Sequence, residues 1–182
     1  MSNIDPHFAE NADVIDENHE KCYREEISSI QVFDHPNIVK IYDYSLDSTM
    51  KTPEGNNEQV FYIAMEYLSR QCLFDYLAQD FLFPPRVVKH YFRQIMSALQ
   101  HIHEKGYSHR DIKPENIMLD KDFNIKLVDF GLSTSRLIDT MSCGTETYRA
   151  PEIEFKDDDD SYYSQSSDIF SMGVLLFIMY TM

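Results

Sequence analysis

A short apolar run, Ile117-Met118-Leu119, and a second strand-like run, Ile125-Lys126-Leu127-Val128, flank the polar stretch Asp120-Lys121-Asp122-Phe123-Asn124. Asp and Asn hydrogen-bond their own backbone and tolerate left-handed geometry, so this stretch reads as the turn of a β-hairpin. A hairpin constrains the fold tightly because it dictates which separated residues meet. Here it returns Asp129, after the second strand, to the side of Asn116, before the first. An amide oxygen and a carboxylate side by side suit a hard, oxygen-seeking cation such as Mg²⁺, whose other ligands are usually water and phosphate oxygens.

The hairpin sits inside a longer series. His109-Arg110-Asp111-Ile112-Lys113-Pro114-Glu115-Asn116 precedes it, Asp129-Phe130-Gly131 closes it, and Ala150-Pro151-Glu152 follows. In this order the three runs resemble the catalytic-loop, magnesium and substrate-loop signatures of eukaryotic protein kinases, with a similarity that covers residues 20–182. The resemblance implies an α+β, protein-kinase-like fold with an incomplete small β-rich lobe and a partial, mainly helical large lobe. Residues 18–68 would supply helix C, strands 4 and 5 and the hinge. Residues 69–182 would form the large lobe and end in its central helix. Residues 1–17 are an acidic, weakly patterned leader, expected to be disordered or loosely packed.

For individual residues the resemblance implies the roles of a serine/threonine kinase, which moves the γ-phosphoryl group of ATP to protein hydroxyls. Asp111 would accept the substrate proton, Lys113 would counter charge on the transferring group, and Asn116 and Asp129 would hold Mg²⁺. Met65 would be the gatekeeper beside the adenine, the Glu66 carbonyl and Leu68 amide would meet its edge, and Met118 would floor the base. Glu115 and Asp129 would also contact the nucleotide. Glu26, nine residues before His35, matches the helix glutamate that pairs with a strand lysine. Lys113 together with Cys143-Gly144-Thr145 resembles the serine/threonine branch, in which the threonine hydroxyl bonds both the catalytic aspartate and the lysine. Arg110 would be satisfied by a phosphate on the following loop, with Thr140 and Ser142 as candidates. Met141 occupies the usual phosphorylated position, so that switch is either shifted or absent.

Two departures qualify the resemblance. No glycine occurs before Gly55, which excludes a G-x-G-x-x-G loop upstream of Glu26, and Lys21 is the only lysine before Glu26. The triphosphate thereby loses its lid and one cationic anchor, and the alternative reading is a kinase-like binding or regulatory module without turnover. A net charge of -15 argues against nucleic acid or an anionic membrane surface as main partner, and the resemblance implies a protein substrate. The three cysteines, Cys22, Cys72 and Cys143, are scattered, as expected in a reducing, cytoplasmic setting. The apolar run 172–182 is too short to span a bilayer.

The periodicity predicts helices over 18–33, 72–78 and 85–105, strands over 38–45 and 60–67, and a loop over 46–58, where Pro53, Gly55, Asn56 and Asn57 cluster. Asp168 is expected to cap a last helix, apolar on all sides from 169 to 180 and therefore buried. The resemblance adds a second role for Asp168, bonding the backbone of the catalytic loop. If that apolar surface is left uncovered, the alternatives are aggregation, a partner bound over it, or a longer protein of which this sequence is a part.

Overall fold

Antiparallel hairpins and helices give the chain a partial α+β architecture. The computed structural model describes Ile27 and residues 29–79, 82–157 and 159–181. The acidic leader, Glu26 and most of the helix expected over 18–33 lie outside the described residues. Of that helix, Ile27, Ser29 and Ile30 are helical and buried.

β1 (Ile41–Lys51) and β2 (Asn57–Met65) form the first hairpin, in a register that sets Ile41 opposite Met65 and Lys51 opposite Asn57. Both strands run into the stretch expected to be a loop over 46–58. The Pro, Gly and Asn signals occupy only its tip, where Gly55 takes a φ of +89° and the Thr52 amide donates to Asn56 O at 2.9 Å. The polar strand residues pair with each other across the ladder, as where Gln59 Nε2 donates to Asp47 Oδ1 at 2.9 Å. Ahead of this hairpin, Ile38 bridges Leu127 in parallel and the Val39 amide donates to Leu127 O at 3.0 Å. Asn37 is buried and donates through Nδ2 to Ile125 O at 3.0 Å, so the His-Pro-Asn turn docks on the later, central hairpin.

α1 (Leu73–Leu77) is short, and its first turn is closed by Asp75, which accepts the Cys72 amide at 3.1 Å. α2 (Pro85–Glu104) starts with proline where a missing N–H has no partner to lose, and stops before Gly106, whose φ is +81°. Its stripe of Val88, Tyr91, Ile95, Leu99 and Ile102 is buried, as the periodicity predicts. β3 (Ile117–Leu119) and β4 (Ile125–Leu127) form the central hairpin in the register Ile117 to Leu127, Met118 to Lys126 and Leu119 to Ile125. Its turn is built by Asp120, whose Oδ1 accepts the amides of Asp122 and Asn124, each at 2.9 Å. β5 (Ile138–Asp139) pairs with β6 (Tyr162–Tyr163) across α3 (Pro151–Glu154), a two-residue ladder too brief to leave a sequence signal.

α4 (Ser164–Thr181) corrects two expectations. The helix begins four residues before Asp168, which therefore sits in its second turn and is fully buried rather than capping it. Ser164 anchors the start instead, through its hydroxyl to Arg136 O at 2.5 Å and to Ser108 Oγ at 2.8 Å. The helix is also not buried all round: Met172, Leu175 and Met179 enter the core, while Ile169, Phe170, Phe177 and Tyr180 are exposed. No helix among the described residues is long and apolar enough to cross a membrane.

One main core joins α1, α2, the central hairpin and the inner face of α4, with Phe130, Leu73, Ile95, Leu99, Ile102, Ile112 and Leu175 among its fully buried members. Phe33 and Phe130 stack in it with ring centroids 5.3 Å apart. Ile95 has no exposed surface, so Ile95→Ala should lower unfolding free energy by about 2–5 kcal/mol in a urea titration. A loss under about 1 kcal/mol would mean that α2 is not packed at this position.

Candidate active site

The loop between α2 and β3 is shaped from below by a buried carboxylate. Asp168 accepts the His109 amide at 2.9 Å and the Arg110 amide at 2.7 Å, and His103 Nε2 lies 2.8 Å from Oδ2. Arg110 adopts a φ of +67°, left-handed geometry that is strained for a residue with a side chain and is compensated by these bonds. His109 turns inward and is fully buried against Phe130, with ring centroids 4.9 Å apart. Its Nδ1 accepts the Asp111 amide at 3.3 Å, which puts the ring proton on Nε2, the donor to Val128 O at 3.1 Å. Burial pushes the imidazole below its ordinary pKa despite the nearby Asp168 charge, in keeping with that neutral tautomer.

Asp111 emerges on the opposite side with each oxygen engaged. Oδ2 lies 2.7 Å from Lys113 Nζ and accepts Asn116 Nδ2 at 2.9 Å. Oδ1 accepts the Thr145 amide at 3.1 Å and the Thr145 hydroxyl at 2.8 Å, while Lys113 Nζ donates to the same hydroxyl at 2.8 Å. Burial pushes the carboxyl pKa up, but the hydrogen bonds from Lys113, Thr145 and Asn116 and the Lys113 charge outweigh it, so Asp111 lies below the usual aspartate value. It is a carboxylate at neutral pH.

Gly144 makes the approach of Thr145 to Asp111 feasible. Its φ is +89°, and a Cβ there would lie 2.6 Å from Arg110 O, so only glycine lets the two segments come this close. Asn116 donates through Nδ2 to Asp111 O as well as to its carboxylate, each at 2.9 Å, which leaves Oδ1 accepting no hydrogen bond among the described residues. The Val128 amide donates to Asn116 O at 3.0 Å, which holds Asp129 one residue beyond a direct contact with Asn116. Asp129 is exposed at a φ of +61°, and its Oδ1 accepts the Gly131 amide at 3.3 Å. An exposed carboxylate and an unused amide oxygen, at the two ends of one hairpin, are the donor types that a divalent cation combines with water and phosphate oxygens. Among the described residues no group of three or more His, Cys, Asp or Glu could hold a metal by itself.

The structure thus brings Asp111, Lys113, Asn116 and Thr145 into direct contact and Asp129 to their edge. Met118 is half-buried on β3 and its backbone bridges Cys72, which sets the 66–71 connection beside the central hairpin. Met65, at the end of β2, is 47% exposed, and Leu68 is half-buried against the main core. The Glu66 side chain meets Lys126 Nζ at 2.7 Å and the Lys40 amide at 2.8 Å. Glu115 is exposed on the turn Pro114–Asn116, and Thr140 and Ser142 are exposed on the segment before Gly144. Glu26 lies outside the described residues. Arg110 does not join Asp111: its Nε donates to Leu132 O at 2.6 Å and its Nη1 to Asp139 Oδ2 at 2.9 Å. The sequence reading missed Asp139, Lys126 and His103, whose partners lie 29, 60 and 65 residues away with no periodic signal to link them.

A family model described as "Protein kinase domain" matches residues 9–182. The chain is 36% identical over 179 residues to "Probable serine/threonine-protein kinase MARK-C" of Dictyostelium discoideum, an alignment covering 96% of this chain and 22% of that protein. It is 35% identical over 163 residues to "CBL-interacting serine/threonine-protein kinase 26" of Arabidopsis thaliana, covering 86% of this chain and 34% of the relative. To "NUAK family SNF1-like kinase 2" of Rattus norvegicus it is 38% identical over 160 residues, covering 86% of this chain and 23% of the relative. The chain therefore spans between 22% and 34% of the length of these curated relatives.

Two measurements probe this geometry. Gly144→Ala should lower stability by more than about 1 kcal/mol in a urea titration, since both the φ and the Arg110 carbonyl resist a side chain. Lys113→Met should raise the Asp111 pKa, because the burial stays and a charged donor goes. With the folded pKa below the unfolded one, the stability Asp111 contributes is complete above the unfolded value and is lost as pH falls through the folded value. The variant should therefore lose acid-side stability at higher pH than the parent. An unmoved Asp111 carboxyl titration by NMR would show that Lys113 does not set it.

Proposed function

The chain belongs to the protein kinase family, and from that premise we propose that it is a protein serine/threonine kinase domain, transferring the ATP γ-phosphoryl group to Ser or Thr hydroxyls. The observation that carries this reading is the closed set of contacts around Asp111, whose carboxylate is ionised and bonded to Lys113, Thr145 and Asn116 at once. A substrate hydroxyl oxygen attacks the γ-phosphorus, its proton passes to Asp111, and the bond from that phosphorus to the β,γ-bridging oxygen breaks to release ADP. Lys113 counters negative charge on the group in flight, while Thr145 holds aspartate and lysine in register. Mg²⁺, when bound between Asn116 and Asp129, would neutralise charge on the phosphates.

The proposed nucleotide contacts are Met65, Glu66, Leu68, Glu115, Met118 and Asp129. Because the Glu66 amide donates to Lys40 O and its side chain is taken by Lys126 and Lys40, its carbonyl is the group that remains for the adenine edge. The net charge of -15 favours basic protein substrates, and the scattered cysteines favour a cytoplasmic setting. Glu26 is the proposed regulatory helix glutamate.

The alternative is a kinase-like binding or regulatory module without turnover, a reading confined to residues 1–182 acting by themselves, which hold no glycine before Gly55. Transfer from Mg-ATP to a generic basic peptide separates the two. Asp111→Asn should cut the rate by at least about a hundredfold while leaving Mg-ATP binding by calorimetry intact. Equal rates in parent and variant would remove Asp111 from the chemistry. Binding without transfer leaves the module, and no binding at millimolar ATP overturns the enzyme reading for this polypeptide.

A further inference from the structure

Kinase resemblance assigns the Arg110 charge to a phosphate added after synthesis, yet this chain supplies the counter-ion itself. Arg110 Nη1 donates to Asp139 Oδ2 at 2.9 Å, with the two side chains 6% and 3% exposed. The other oxygen, Oδ1, accepts the Thr140 amide at 2.8 Å and the Met141 amide at 3.0 Å. The carboxylate therefore neutralises the arginine and ties down the backbone of the next two residues, as three oxygens of a phosphate would.

Neighbouring contacts extend the tie as far as the catalytic aspartate. Asp139 pairs with Tyr162 in the β5–β6 ladder, and the Tyr162 hydroxyl donates to Met141 O at 2.9 Å. Burial pushes that phenol up to about 12, so it remains a donor. Three and four residues beyond Met141, Gly144 packs on Arg110 O and Thr145 bonds Asp111. The segment 139–145 is thus pinned at its start, middle and end. Thr140 and Ser142 are exposed, and neither hydroxyl reaches Arg110. A phosphate on either would meet an arginine already paired with a buried carboxylate and would add negative charge beside it.

We propose that Asp139 is a built-in, permanent counter-ion for Arg110, a positioning residue that holds the segment 139–145 against Asp111 without phosphorylation. The ordering role stands on the contacts alone; its effect on turnover rests on the kinase reading. Asp139→Asn keeps the shape and removes the charge. It should speed amide hydrogen exchange at Thr140, Met141 and Thr145 at least tenfold, while the β3 and β4 amides keep their protection. In peptide phosphorylation it should lower kcat at least tenfold with the KM for ATP within threefold, and Asp139→Glu should restore most of kcat. Phosphatase-treated protein and the Thr140→Ala, Ser142→Ala double variant should keep kcat within twofold and exchange unchanged. Parent-like exchange in Asp139→Asn would overturn the proposal, as would tenfold loss on phosphatase treatment or uniform loss of protection across β3 and β4. Were no transfer detected from any form, the kinase reading would fail while the exchange measurements still decided the role of Asp139.

Discussion

A fully buried carboxylate must find hydrogen-bond donors, and Asp168 finds them chiefly in the backbone of another segment. It binds the consecutive amides of His109 and Arg110 and the His103 ring. With both amides held on one carboxylate, the chain turns sharply just beyond them, where Arg110 takes a φ of +67°. Everything on the functional face follows from that turn. His109 is sent into the core beside Phe130, Arg110 toward Asp139, and Asp111 toward Lys113 and Thr145. Removing such a carboxylate would leave buried donors unmatched and take away the bonds that hold Arg110 in its left-handed geometry, and with it the direction of the loop.

Around Asp111 the balance is different, because burial and hydrogen bonding oppose each other there. Burial disfavours the carboxylate, and donors from the loop, the central hairpin entry and the segment 143–145 restore it. These donors arrive from parts of the chain 34 residues apart in the case of Thr145, so the ionised aspartate also reports that the distant segment is seated. Arg110 and Asp139 perform the matching task on the other side of the same loop. Two ion pairs, Lys113 with Asp111 and the more deeply buried Arg110 with Asp139, hold adjacent residues of the same loop.

Much of this was legible in the residues. The apolar runs flanking 120–124 and the Asp and Asn turn specified the central hairpin, since its register depends only on neighbours along the chain. The α2 stripe was equally plain, for a long helix repeats its signal over several turns. Asp111, Lys113, Asn116 and Asp129 stood out through motif spacing. Other features misled. The Pro, Gly and Asn cluster suggested a long loop, whereas cross-strand polar pairs extend β1 and β2 almost to its tip. Asp168 looked like an N-cap because aspartate favours that position, but its acceptors are used tertiarily and Ser164 starts the helix.

Local pattern by itself determined the hairpin, the amphipathic helix and the identity of the residues that carry charge in the candidate site, because each depends on contacts within a few residues or on a fixed spacing. Tertiary structure alone decided which charges meet. The pairings of Asp168 with the 109–110 amides, Arg110 with Asp139, Glu66 with Lys126 and Thr145 with Asp111 join segments 29 or more residues apart. A carboxylate carries no mark of its future partner along the chain. That choice is made when burial strips water from each group and leaves the nearest donor as its only compensation.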